Sequence, residues 1–180
     1  MNFAPDHLDR YQSLDDYRSA KMQIFVNQTE GDWAVVNGID KLNNLRAKTV
    51  TFSAYDELND YCLRGSKIIS DGEALVDQSM TKLRGLHNAE NLMAATAVAK
   101  IRGYKNEQIL NATLDYEPPP HRCELIAESQ GVQFINDSKA TNIHAMISAI
   151  NSFSDHDIVL VAGGKNKGIS YAEAAEVVSK

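Results

Sequence analysis

Several absences narrow what this chain can be. It has only two cysteines, Cys62 and Cys123, far apart and in no C-x-x-C arrangement. That argues against a zinc or thioredoxin-type site and for two reduced thiols in a cytoplasmic protein. No apolar run approaches the roughly 18 residues of a membrane span. The opening MNFAPDHLDR has neither a basic n-region nor an apolar h-region, so no secretory signal is expected. Lysine and arginine are scattered, the net charge is −6 and the pI about 5.3. Nucleic acid and anionic membrane surfaces are therefore not expected partners. Neither G-x-x-x-x-G-K-S/T nor G-x-G-x-x-G occurs, and no internal repeat is visible. There are four prolines, three of them consecutive at 118–120.

What remains is an ordinary globular composition, 43% apolar and 23% charged over 180 residues, which fits one or two domains. The pattern is α/β. Trp33–Asn37 (WAVVN) and Thr49–Ala54 (TVTFSA) read as strands, with Lys41–Lys48 between them. Lys67–Ser70, an Asp-Gly pair and Ala74–Val76 read as hairpin strands. LHNAENLMAATAVAKIRGY, from Leu86, is a helix with an Ala-rich packing face. Asn88 is its expected N-cap, Lys100 and Arg102 suit its C-terminal dipole, and Gly103 suits the C′ position. A second short helix runs from Asn106 to about Leu114. The triple proline then stiffens the chain and marks a boundary, giving domains 1–117 and 121–180 with a linker at 118–120.

The most chemically loaded stretch is VQFINDSKATN, Val132 to Asn142. Val132, Phe134 and Ile135 read as a buried strand that runs into a cluster of polar side chains, and a helix follows from about Ile143 to Ile150. Ligands of open α/β sheets bind at such strand ends, where a helix N-terminus offers free N–H groups to an anion. A capped βα turn needs one of these polar residues, and the loop carries several. Just upstream, Arg122 offers a planar fork of donors suited to phosphate. Downstream, Asp157–Ala162 (DIVLVA) reads as a second buried strand ending in GGKNKG, where glycines permit close backbone approach and Lys165 and Lys167 add charge. A last helix covers Tyr171–Val178.

Two further features stand out near the start. Asp6, His7 and Asp9 offer metal-ligating or acid–base groups, although short acidic-histidine runs are commonly solvated surface. Ser13 and Asp16 form a capping-box-like helix start. Leu14, Tyr17, Ile24 and Phe25 then recur at helical spacing, with Lys21 in the middle of that stripe. A lysine there either snorkels or has a depressed pKa, a metal-site role, or conversion to a carbamate. Asn88 and Asn91, three apart, share one helix face and can read a base or hold a phosphate.

Taken in order, DHLDRY with Lys21 downstream, HNAEN, PHRCE, INDSKATN and GGKNKG resemble the Mur ligases, ATP-dependent amide-bond formers of peptidoglycan synthesis. The resemblance covers the whole chain. It implies the second half of the family's central ATPase domain followed by the start of a Rossmann-like C-terminal domain. It also implies a magnesium-ligating His7, a carbamylated Lys21 on the same metal, Asn88 and Asn91 at the adenine, Arg122 on phosphate and Asp137 on the ribose. Lys139 and Thr141 would stand near the reacting centre, and Lys167, or alternatively Lys165, would bind the incoming amino acid. The implied reaction joins D-glutamate to UDP-N-acetylmuramoyl-L-alanine through an acyl phosphate, with ATP and Mg2+. The family's UDP-binding domain, phosphate loop, metal-bridging glutamate and remaining amino-acid contacts would lie outside these 180 residues. The stretch is therefore expected to fold poorly and be inactive alone, with the missing half as a possible partner. A non-catalytic nucleotide-binding or partner-packing module, and a Mur-type ligase adding another amino acid, stand as alternatives.

Overall fold

A computed structural model describes residues 11–42, 44–164 and 172–178. The chain divides into two compact units, Met1–Tyr116 and Glu117–Lys180.

In the first unit, α1 (Leu14–Met22) begins as its sequence requires. Ser13 Oγ accepts from Asp16 N at 3.1 Å and donates to the Asp16 carboxylate at 2.8 Å. The α-helix stops at Met22 and tightens into a 3-10 turn over Gln23–Phe25. The expected apolar stripe is consequently no buried seam. Tyr17 is buried, whereas Leu14 and Ile24 face solvent.

Five strands follow: β1 (Trp33–Asn37), β2 (Lys48–Ser53), β3 (Tyr61–Arg64), β4 (Lys67–Ser70) and β5 (Glu73–Asp77), side by side in chain order. β1, β2 and β3 are parallel, and β3, β4 and β5 are antiparallel. The Asp-Gly pair closes the β4–β5 hairpin with φ of 51° at Asp71 and 78° at Gly72, the two left-handed residues of a two-residue turn. β3 was not legible in the sequence, because its four residues Tyr61, Cys62, Leu63 and Arg64 are too short a run to show a period.

The packing follows from strand alternation. Ala34 and Val36 turn to one face of β1 and form a small cluster with Ala47, against which Phe25, Leu42 and Leu45 pack. Val35 turns to the other face and packs against the main core of Phe52, Tyr61, Ile68, Leu75, Val76, Ala89, Leu92, Met93, Ala97 and Ile109. That core is closed by α2 (Leu86–Ile101) and α3 (Asn106–Leu114). Each large side chain withdrawn from water there contributes on the order of 1.5–3 kcal/mol.

The N-cap of α2 is Gly85 (φ 83°), not Asn88. Gly85 O accepts from the N–H groups of Asn88 and Ala89, so the helix is already running when Asn88 is reached. The C-terminus ends as expected. Gly103 N donates to Lys100 O at 2.9 Å and Tyr104 N to Ala99 O at 3.1 Å, a Schellman closure that needs the left-handed Gly103 (φ 84°).

The second unit contains the hairpin β6 (Glu124–Ser129) and β7 (Val132–Asn136), then α4 (Ile143–Asn151) and α5 (Ala172–Val178). Gln130 (φ 51°) and Gly131 (φ 80°) turn the hairpin. Two expectations are corrected here. Val132–Ile135 is a strand, but half of each of Val132 and Phe134 remains exposed, because among the described residues β7 pairs antiparallel with β6 alone. Asp157–Ala162 is neither a strand nor buried. It has no ladder partner among the described residues, and Val159 and Val161 are each 93% exposed. β-branched character favours a strand only where another strand offers its backbone groups.

Candidate active site

The first unit gathers polar side chains at the carboxyl ends of β1 and β2 and the start of α2. Asn37 is buried, and its side-chain oxygen accepts from Ile39 N at 3.0 Å, turning the chain sharply after β1. Asp40 follows one residue later. Burial pushes its carboxyl above the ordinary value of 3.8, and the negative charge of Glu90 adds to the rise while Arg18 opposes it. Glu90 is 3% exposed in the second turn of α2 and accepts from Ala54 N at 3.4 Å, just past β2. The Tyr55 hydroxyl is also pushed up, first by burial and then by Glu90. Sequence reasoning missed Glu90. The available signal was its position three before Met93 and seven before Ala97, on the stripe of α2 that is buried.

Lys21 lines a pocket with Arg18, Met22, Phe25, Val36, Asp40 and Leu42. It is half-buried, and its ammonium lies 4.9 Å from the centroid of the buried Tyr17 ring. This is a lysine whose stem covers apolar surface while its charge meets an aromatic face. Arg18 Nη2 donates to the main-chain oxygen of Asp40 at 3.1 Å and ties α1 to the end of β1.

Asn88 and Asn91 do share a face. Asn91 Nδ2 donates to Asn88 Oδ1 at 3.3 Å, and Asn88 Nδ2 donates to Arg84 O at 2.8 Å. Asn88 is 8% exposed and Asn91 is exposed. The two amides thus divide the work: Asn88 is committed to the protein, and Asn91 retains an oxygen and an N–H toward solvent.

In the second unit the PHRCE and INDSKATN strings, which flank the hairpin, are brought together by it. Cys123 N donates to Asp137 Oδ1 at 3.1 Å, and Lys139 N donates to His121 O at 3.0 Å. His121 N donates to Glu124 Oε2 at 2.7 Å. Asn136 Nδ2 lies 2.8 Å from His121 Nδ1, and Asn136 Oδ1 accepts from both Ser138 N (3.1 Å) and Ser138 Oγ (3.0 Å). His121 and Cys123 hold left-handed backbones, φ 67° and 46°, at a cost of roughly 1–2 kcal/mol per residue bearing a Cβ. The Cys123 thiol is pushed up to about 11, by burial first, then by the charge of Asp137 and a hydrogen bond to it. Arg122, Lys139 and Thr141 are exposed around this knot. Asn142 caps α4 by accepting from Ala145 N at 2.8 Å. One polar residue therefore suffices for the cap, and Asp137, Lys139 and Thr141 are left for other work.

His7, Lys165 and Lys167 lie outside the described residues. Among the described residues no group of three His, Cys, Asp or Glu side chains is placed to hold a metal ion, and no helix is long and apolar enough to cross a membrane.

Comparison with known proteins joins these observations. Residues 1–99 match the Mur ligase middle domain, and residues 121–180 match the Mur ligase, glutamate ligase domain. The chain is 37% identical over 190 aligned residues to a protein of Desulfitobacterium hafniense (strain Y51) named UDP-N-acetylmuramoylalanine–D-glutamate ligase, covering 100% of this chain and 42% of the relative. Relatives of the same name from Geotalea daltonii and Aquifex aeolicus are 40% and 33% identical, covering 99% and 100% of this chain and 41% and 43% of the relatives. The chain thus spans about two fifths of the length of the curated relatives it matches. Among solved structures, a MurF from Acinetobacter baumannii superposes with a TM-score of 0.73 at 20% identity, over 87% of this chain and 36% of that one. A UDP-N-acetylmuramoyl-L-alanyl-D-glutamate–2,6-diaminopimelate ligase gives 0.61 at 22% identity, over 85% and 34%. At these identities the superpositions speak to the fold alone.

Proposed function

The chain belongs to the Mur ligase family, and from that premise we propose that it supplies the nucleotide-side and amino-acid-side residues of a ligase joining D-glutamate to UDP-N-acetylmuramoyl-L-alanine. The observation that carries this reading is similarity across the whole chain to relatives bearing that one enzymatic name. The union of the PHRCE and INDSKATN strings at one strand end supports it physically.

The proposed reaction has two steps. The substrate carboxylate attacks the terminal phosphorus of ATP, forming an acyl phosphate and releasing ADP. The amine of D-glutamate then attacks the acyl carbon, the amide bond forms, and inorganic phosphate leaves with loss of the amine proton. Charge stabilisation and positioning are what a protein chiefly adds to phosphoryl transfer.

Asn91, with an oxygen and an N–H free toward solvent, reads the adenine edge, and Asn88 orients it. Asp137 accepts the ribose hydroxyls with the carboxylate oxygen that Cys123 N–H does not occupy. Arg122 binds phosphate. Lys139 carries positive charge to the reacting centre, and Thr141 contacts the incoming amino acid. Lys167, with Lys165 as the alternative, meets the carboxylate of D-glutamate. The domain reading remains 1–117 and 121–180 with the linker at 118–120.

Magnesium would neutralise phosphate charge. Lys21 fits such an ion only as the carbamate formed with carbon dioxide and loss of a proton, because an ammonium has no lone pair to offer. His7 would be the companion ligand. The described residues form no cage by themselves.

Phosphate release tests the reading. The 180-residue chain, given ATP, magnesium, UDP-N-acetylmuramoyl-L-alanine and D-glutamate, is expected to release none, since it carries no phosphate-loop motif. Adding in trans the parts of the Desulfitobacterium relative that flank its matched segment is expected to restore release that depends on D-glutamate. Release equally well supported by another amino acid would overturn the assigned acceptor.

A further inference from the structure

We propose that Asn136 is a positioning residue that straps together the two turns carrying Arg122 on one side and Asp137 and Lys139 on the other. Ser138 N is a main-chain N–H and can only donate, and it lies 3.1 Å from the Asn136 side chain. The amide oxygen of Asn136 must therefore face Ser138, where it also takes the Ser138 hydroxyl at 3.0 Å. That leaves the NH2 group facing His121, 2.8 Å from Nδ1. Two donors cannot share that contact, so His121 Nδ1 accepts and the ring carries its proton on Nε2.

The consequence reaches the neighbouring side chains through the backbone. With its ring held, His121 keeps its left-handed conformation (φ 67°) and presents its carbonyl to Lys139 N at 3.0 Å. Cys123, two residues on, presents its N–H to Asp137 at 3.1 Å. Asn136 to His121, Lys139 to His121 and Cys123 to Asp137 are rungs between the turns, and the Cys123 thiol also hydrogen-bonds Asp137. The Asn136–His121 rung is the one that a substitution can remove while Arg122, Cys123, Asp137 and Lys139 all stay in place. The other charged groups near the His121 ring are the Glu124 carboxylate, 3.5 Å from Nδ1, and the adjoining Arg122 in sequence.

The strap stands on geometry, and its bearing on nucleotide affinity rests on the function proposed above. Asn136→Asp is nearly isosteric but replaces the donor at His121 with an acceptor. In the 15N-labelled 180-residue chain, two-bond proton–nitrogen spectra are expected to show His121 Nδ1 without a proton in the parent and with one in Asn136→Asp. Asn136→Leu is expected to speed hydrogen exchange at Lys139 N–H by about tenfold, the worth of one ordinary hydrogen bond, while the β6–β7 ladder amides hold. An unchanged His121 tautomer in Asn136→Asp, or unchanged exchange at Lys139 in Asn136→Leu, would overturn the strap. Should Asn136→Leu fail to fold, the tautomer comparison decides alone. Phosphate release with the rest of the relative added in trans separates the two readings: failure to restore it speaks against the function, while tautomer and exchange still decide the strap.

Discussion

Cys123 shows how far a single residue can be read from its neighbours. Its thiol is pushed up to about 11, first by burial and then by Asp137. The thiolate is the reactive form, so alkylation at Cys123 should be slow and should show no inflection between about pH 7 and pH 9. Mass-spectrometric rates against an unfolded control would check this, and an inflection near the ordinary thiol value of about 8.5 would contradict it. Asp40 makes an opposite kind of prediction, about stability. Its folded pKa is raised, so its contribution is full below the ordinary 3.8 and is lost as pH rises through the folded value. Asp40→Asn removes that loss. The variant should melt higher than the parent near neutral pH, with the advantage shrinking on acidification; a lower melting temperature at neutral pH would sink the idea. Asp32 runs the other way. Its carboxylate is held down by the Thr29 main-chain and hydroxyl donors, and its contribution is lost as pH falls.

Among the elements, two glycines are needed for different reasons. Gly103 closes α2 in the left-handed region, with nothing near an added Cβ, so Gly103→Ala should cost about 1 kcal/mol through backbone conformation alone. Gly38 has ordinary backbone, but a Cβ there would collide with the Asn59 side chain. Gly38→Ala should cost roughly 1–3 kcal/mol, and the added change Asn59→Ala should recover much of it. Denaturant midpoints for the two variants and the double variant decide the matter, and no recovery would refute the steric account. The same elements show what a sequence can carry. The Ser13 cap, the Asp71-Gly72 turn and the Gly103 closure are local arrangements, legible because all their atoms lie within a few residues. The N-cap of α2 lies three residues before the Asn88 that the sequence points to, because Gly85 caps by its backbone and offers no side chain to recognise.

For the molecule as a whole, the distribution of burial is uneven. Among the described residues, every buried apolar residue except Ala174 belongs to the first unit, while Leu125, Ile126, Val132 and Phe134 of the hairpin are half exposed or more. Amide exchange should therefore be slowest in α2 and β1–β4 and much faster in β6 and β7. Uniform protection, or a single sharp unfolding transition shared by both units, would show that the hairpin is stabilised by contacts that its exposure does not reveal. The apolar run Ile158–Val161 belongs to the same argument: its side chains favour a strand, yet it makes none among the described residues.

Local pattern and family motifs, all properties of adjacent residues, determined the α/β class, most strands and helices, and the set of side chains from Lys21 to Thr141 worth examining. Tertiary structure decided which of them meet. It buried Glu90 beside the end of β2, and knotted His121, Cys123, Asn136, Asp137 and Lys139 across a hairpin. The reason is physical: capping and turn formation are settled within a few residues, whereas burial and tautomer depend on groups far away in the chain that only folding brings to hydrogen-bond distance.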